Sequence, residues 1–90
     1  MYIKYDWDEH KRLATLTLRG VDFADMMRFD WTSAVVVTDD RADYGETRLQ
    51  AMGLIDGRLH AAIVTPRGPK LRIISLRKAN ARERTQWERR

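Results

Sequence analysis

Most side chains in this sequence that could do chemistry are arginines, and they concentrate at one end. Eight of the 17 lysines and arginines lie between residues 70 and 90, where Glu83 and Glu88 are the only carboxylates. These cations are Lys70, Arg72, Arg77, Lys78, Arg82, Arg84, Arg89 and Arg90. Because a guanidinium binds phosphate or carboxylate with a planar pair of donors, this end predicts a polyanionic or acidic partner. A solvated helix face is the alternative that the same residues allow.

Groups suited to proton transfer or metal binding are few. Histidine is the side chain type that titrates near neutral pH, and the chain has two, His10 and His60. His60 alternates with Leu59 and Ala61, which predicts that it faces away from the core, although a structural histidine remains the alternative. The chain has no cysteine, and the two histidines lack the spacing of metal ligands. We therefore expect no metal site and no cofactor.

Length and composition place the chain in a broad class. Its 90 residues are 43% apolar and 33% charged, which is typical of one globular domain over residues 1–90. No apolar run approaches the roughly 20 residues of a membrane span, and the first residues lack the apolar stretch of a signal peptide. The absence of cysteine suits a reducing compartment. These features predict a cytoplasmic protein.

The first half predicts a strand, two helices and a second strand. The strand covers residues 2–7, and Asp6 followed by Glu9 predicts a helix that ends at Gly20. Leu13, Ala14 and Leu16 are expected on the buried side of this helix. Asp22 predicts the cap of a second, short helix that ends near residue 29, with Met26, Met27 and Trp31 in the core. The β-branched run 35–38 predicts a strand that is buried on at least one face.

The second half predicts a meander of three antiparallel strands and a final helix. Residues 46–55 pair with residues 58–65 across Asp56-Gly57, and residues 70–76 follow a second turn. Asn80 with Glu83 predicts the start of a helix whose only apolar residues are Ala81 and Trp87. The order of elements predicts an α+β fold, with an antiparallel sheet of three to five strands, two N-terminal helices on one face and a basic C-terminal helix.

Three stretches of the sequence resemble the BrnT family of bacterial toxins. They are residues 5–11 leading into Gly20-Val21-Asp22-Phe23-Ala24-Asp25; Glu46-Thr47-Arg48 with Met52-Gly53-Leu54; and residues 71–79 followed by Ala81-Arg82-Glu83-Arg84. The resemblance implies a RelE-like fold and a ribonuclease that blocks translation. It also implies an antitoxin, BrnA, whose ribbon-helix-helix domain binds operator DNA, and a 2:2 or 2:4 complex of toxin with antitoxin.

The chain departs from the family pattern at one motif. Members usually have Lys-His-Gly before the Val-x-Phe segment, whereas this chain has Leu18-Arg19-Gly20. Arg19 keeps a cation, but the lysine and histidine are replaced. Two alternatives to a ribonuclease therefore stay open: a weakened or non-catalytic toxin that binds antitoxin and RNA, and a structural partner for an acidic protein.

Cleaving RNA without a metal requires a base, an acid and positive charge on the transition state. Arg72, Arg77 and Arg48 are the candidates for that charge, because they lie on or at the end of predicted strands. The candidates for proton transfer are Glu46, Glu83 and His60.

Other residues are candidates for binding rather than catalysis. Those expected to contact RNA are Arg19, Lys78, Arg82, Arg84 and, by stacking on a base, Tyr44. Those expected to contact the antitoxin are Arg82, Arg84 and Trp87, and Trp87 is also the residue that can anchor the last helix. We therefore expect RNA and antitoxin to compete for this end of the chain.

We predict that Arg72→Ala and Arg77→Ala each lose most activity and keep their fold, because each removes charge from the transition state. The loss of one such donor costs about 3–4 kcal/mol of transition-state stabilisation. Growth arrest after induction of each variant measures the effect. A folded variant that arrests growth as the parent chain does would remove that arginine from the mechanism.

Overall fold

The computed structural model describes residues 2–90 as a five-stranded sheet with helices against it. The elements are β1 (Lys4–Trp7), α1 (Glu9–Arg19), a 3₁₀ helix (Phe23–Arg28), β2 (Val35–Thr38), β3 (Leu49–Ile55), β4 (Arg58–Arg67), β5 (Lys70–Lys78) and α2 (Ala81–Glu88). The strand order is β1-β5-β4-β3-β2. The predicted α+β class is confirmed. The sheet is mixed rather than antiparallel, because β1 pairs with β5 in parallel.

The local signals near α1 act as the sequence predicts, with one correction. The cap is Asp8 rather than Asp6, and its carboxylate accepts hydrogen bonds from the backbone N–H groups of His10 and Lys11 at 2.9 and 3.2 Å. Gly20 ends the helix at a φ of 68°, which favours glycine. Asp6 instead pairs with Arg72 across β1 and β5.

The core lies on one face of the sheet, which we call the core face. Phe23, Met26 and Phe29 pack there against alternate residues of the strands, including Ala62 and Ile73. Gly53 lets Phe29 approach the sheet, since an added Cβ would overlap the tip of the phenyl ring. Trp31 packs edge-on against Phe29 with ring centroids 4.6 Å apart and donates to the Tyr5 hydroxyl at 2.7 Å.

Several predictions about this half of the chain are wrong. The second short helix does lie where the sequence predicts it, with Asp22 as its cap, but it is a 3₁₀ helix, and Phe29 after it forms a bridge with Ile55. Met26 is buried as expected, but Met27 is exposed. The side of α1 that was expected to be buried is exposed, because the helix makes few contacts with the sheet, chiefly along β5. Leu13, Ala14 and Leu16 lie on that exposed side.

The strand bounds also differ from the prediction. β3 begins at Leu49, so Arg48 lies just before the strand, and β4 continues through Pro66 to Arg67. β2 is exposed along its whole length, because it is the last strand of the sheet. The Asp56-Gly57 hairpin is confirmed, with positive φ angles of 51° and 78°.

The sheet face opposite the core, which we call the open face, lies between α1 and α2. Ala61 and Ile63 of β4 and Ser75 and Arg77 of β5 point toward it, because they alternate with core residues. The end of α1 borders this face along Ile63 and Ser75, while Trp87 of α2 borders it beside β3. The 3₁₀ helix packs on the core face instead. The two N-terminal helical segments therefore do not share one face.

Candidate functional site: an arginine cleft

The open face holds two adjoining cavities of about 350 and 180 Å³. They share Arg19, Arg41, Ile63 and Ser75, so they form one continuous concave surface. We call this surface the arginine cleft, after the residues that line it: Arg19, Arg41, Arg48 and Arg77 around a floor of Gln50, Ala61, Ile63 and Ser75. Four guanidinium groups on one concave surface favour a ligand that has several negative charges.

The four arginines come from different parts of the fold. Arg19 is the last residue of α1, and Arg77 lies on β5 opposite Ala61. Arg41 and Arg48 belong to the loop between β2 and β3, which also contains Tyr44. The Arg48 guanidinium lies over the Tyr44 ring, 4.1 Å from its centre. Tyr44 therefore makes a cation–π contact with Arg48, an arginine of the cleft.

A buried carboxylate orients Arg41. The side chain of Asp39 is only 3% exposed, and it accepts hydrogen bonds from Arg41 Nε at 2.7 Å and Nη2 at 2.9 Å. The Arg41 side chain is itself 72% exposed. The hydrogen bond from Arg41 lowers the pKa of Asp39, which therefore stays ionised at neutral pH. A buried anion thus holds an exposed cation at the edge of the cleft.

Glu83 holds Arg77 in the same manner and also starts α2. Its two carboxylate oxygens accept from Arg77 Nη1 at 2.7 Å and Nη2 at 2.8 Å. The same carboxylate accepts from the backbone N–H of Asn80, whose side chain in turn caps α2. The hydrogen bond from Arg77 lowers the pKa of Glu83 to about 2. The capping box that the sequence predicts is confirmed, and it also joins α2 to the cleft.

Glu46 bridges two arginines beside the cleft. It accepts from Arg48 Nε at 3.2 Å and from Arg67 Nη2 at 3.0 Å. Burial alone would raise the pKa of Glu46, but the hydrogen bonds from the two arginines together outweigh it and lower the pKa. An ionised carboxylate with a lowered pKa is a weak base.

Three residues from the predicted site lie elsewhere. Arg72 donates to Asp6 at 3.2 Å and is not among the residues that line the cleft. His60 is buried rather than facing solvent, and its Nδ1 lies 2.8 Å from the carbonyl oxygen of Arg58. Since it alternates with Ala61, it points to the core face, away from the cleft. Lys78 is exposed opposite His60, at the end of β5.

The partner residues predicted on α2 form a separate surface. Arg82 and Arg84 are exposed. Trp87 is half-buried and borders a groove with Val35 and Met52, and Arg90 stacks on its ring at 3.5 Å. Trp87 thus contacts the sheet beside β2, which is consistent with the predicted anchoring role.

Sequence reasoning missed Asp39 and Arg41. They lie in an irregular loop with no motif around it, so their pairing depends on the fold of that loop. Among residues 2–90, no three His, Cys, Asp or Glu side chains group together as metal ligands would. No helix of the same range has the length and apolar character needed to cross a membrane.

The chain matches a known family over most of its length. The model of a family described as a ribonuclease toxin, BrnT, of a type II toxin–antitoxin system matches residues 7–83. No curated protein matches the chain.

The lowered pKa of Glu83 predicts how stability depends on pH. Its ionised form stabilises the folded chain, so this contribution is present above the ordinary glutamate pKa of 4.5 and is lost as pH falls toward about 2. Glu83→Gln should lower the free energy of unfolding at pH 7 by about 1–2 kcal/mol, allowing for solvent screening, and by less at pH 3. Thermal unfolding at both pH values measures this. An equal loss at both would show that ionisation of Glu83 is not the cause.

Proposed function

The chain belongs to the BrnT family of type II toxin–antitoxin ribonucleases, and we propose that it cleaves RNA in the arginine cleft and thereby inhibits translation. The observation that supports this site most strongly is the set of four arginines around one concave sheet face. Three of them are held by ion pairs with Asp39, Glu46 and Glu83. Fixed guanidinium groups suit a phosphodiester chain, whose charges recur along the strand.

In the proposed reaction, a ribose 2′-hydroxyl attacks the adjacent phosphorus within the cleft. The 2′-hydroxyl gives its proton to Glu46 or to water as its new bond to phosphorus forms, the bond to the 5′-oxygen of the next nucleotide breaks, and that oxygen takes a proton from water as it leaves. Negative charge grows on the two remaining phosphate oxygens in the transition state. Arg77, Arg48, Arg41 and Arg19 stabilise that charge, and because carboxylates fix the first three beforehand, little reorganisation of these is needed.

In the proposed reaction, the proton transfers limit the rate. Glu46 is the candidate base nearest the cleft, since it contacts Arg48, but its lowered pKa makes it weak. Glu83 acts instead by holding Arg77. The buried position of His60 on the core face argues against a direct role. We therefore expect charge stabilisation to supply most of the rate enhancement, without a metal ion.

A second function is favoured by the same observations. The residues that line the cleft include no histidine, and Leu18-Arg19 replaces the Lys-His pair typical of the family. A weakened toxin that binds RNA and antitoxin without cutting would have this composition. RNA binding without cleavage by the purified chain would select this function over the first.

We propose that the antitoxin covers the basic surface of α2. Arg82 and Arg84 are exposed there, and the groove beside Trp87 can receive an apolar side chain. A BrnA-like ribbon-helix-helix protein with an acidic, partly apolar segment fits this surface, and its dimeric domain would give a heteromeric complex that binds operator DNA. Because the substrate is RNA, we place the activity in the cytoplasm.

Removal of a cleft arginine should abolish cleavage, whereas removal of an arginine elsewhere should not. Arg41→Ala and Arg77→Ala should each lower the rate of cleavage of a single-stranded RNA about 10²–10³-fold. Arg28→Ala is the matched control, since Arg28 also pairs with a carboxylate, Asp56, but is not among the residues that line the cleft. Cleavage by the purified variants at equal concentration measures the effect.

Arg72→Ala tests the placement of the site. The sequence alone predicts that Arg72→Ala loses most activity, but Arg72 pairs with Asp6 outside the lining of the cleft, so we now expect a smaller loss of rate than with Arg77→Ala. A loss confined to Arg72→Ala, with Arg41→Ala and Arg77→Ala unaffected, would move the site away from the cleft.

A further inference from the structure

β2 is an edge strand whose outer side is open to another strand. It is the last strand in the sheet order, and all of its residues, Val35–Thr38, are exposed. Its three valines are 44–52% exposed, although valine is usually buried. Edge strands are commonly protected against pairing with another chain by lysine, proline or a bulge. The Val-Val-Val-Thr sequence of β2 contains no lysine and no proline. The unpaired backbone groups of such an edge fit one kind of partner, which is another extended strand.

We propose that two copies of this chain associate through β2, with the two strands antiparallel about a two-fold axis that passes beside Val36. Such an axis is perpendicular to the sheet, so each residue faces a residue on the same face of the other copy. Val36 then lies opposite its counterpart, and Val35 lies opposite Val37 of the second copy. The β-branched side chains pair on both faces of the continuous sheet that results.

The charges at the two ends of β2 complement each other in this arrangement. Asp40 follows the strand at its C-terminal end and is exposed, whereas the neighbouring Asp39 is buried and already paired with Arg41. Arg90 lies near its other end, where it lines a groove of about 210 Å³ together with Val35 and Trp87. Antiparallel pairing brings the acidic end of each strand to the end that Arg90 flanks in the other copy. The same favourable contact therefore occurs twice, and like charges are kept apart.

This association does not depend on the proposed ribonuclease activity. Arg77, on β5, is separated from β2 by β4 and β3. The cleft of each copy opens on the sheet face, whereas the proposed contact is made at the sheet edge. Because the paired strands are short, we expect a reversible dimer whose population rises with protein concentration.

Sedimentation of the purified chain across a wide range of concentrations tests the proposal. The chain should shift from monomer to dimer as concentration rises. Val36→Lys and Val37→Lys should each raise the dissociation constant about tenfold or more, because the first places two like charges opposite each other at the axis and the second places a charge against the apolar Val35 of the other copy. Leu13→Lys is the matched control: Leu13 is 50% exposed but lies on α1, so the same change in charge should leave the dimer intact.

Backbone hydrogen exchange provides the second measurement. Amides of Val35–Thr38 should exchange more slowly as the dimer forms, and those of α1 should not change. A monomer at every concentration would overturn the proposal, and so would a dimer that survives both valine substitutions. Dissociation by Leu13→Lys alone would place the contact on α1 and would equally overturn it. Thermal unfolding of each variant checks that the fold is kept, and Val36→Lys should leave RNA binding unchanged, because Val36 pairs with Ala51 of the core face.

Discussion

The pairing of arginines with carboxylates is the interaction on which the cleft depends. Guanidinium groups that share a concave surface repel each other, and the charge of Arg41 opposes the positive charge of Arg77. Asp39 and Glu83 each compensate one of these cations with two hydrogen bonds. Because each carboxylate is more buried than its arginine, it fixes the direction of a more exposed cation. The protein thus keeps several guanidinium groups close together that would otherwise repel each other and move apart.

The core covers only one face of the sheet, and this explains why the arginine cleft can form on the other face. The segment that contains Phe23, Met26 and Phe29 covers the core face and packs against the apolar side chains of the strands. The open face needs no such cover, so its strands can display Arg77 and Ser75 between α1 and α2. Both helices have no buried residue, and α2 is joined to the sheet by Glu83 and Trp87. The apolar packing and the proposed site therefore lie on opposite sides of one sheet.

Local signals made much of this fold predictable. Gly20, Asp22, the Asp56-Gly57 turn and the Asn80–Glu83 box each act within a few residues, and each acts as the sequence predicts. Contacts between distant residues were not predictable in this way. The parallel pairing of β1 with β5 joins Asp6 to Arg72, which removes that arginine from the cleft. Three other features likewise depend on which elements become neighbours: the burial of Asp39, the exposure of α1 and the direction of His60 toward the core face.

Binding of a single-stranded RNA to Asp39→Asn tests the central claim most directly. Asp40→Asn is the matched control, because it removes the same charge from the next residue, which is exposed. If Asp39 serves to orient Arg41, Asp39→Asn weakens RNA binding although it makes the cleft more positive, whereas Asp40→Asn leaves binding unchanged or tightens it. If both substitutions tighten binding equally in folded protein, Asp39 is only a negative charge near the RNA, and carboxylate-held arginines do not form the site.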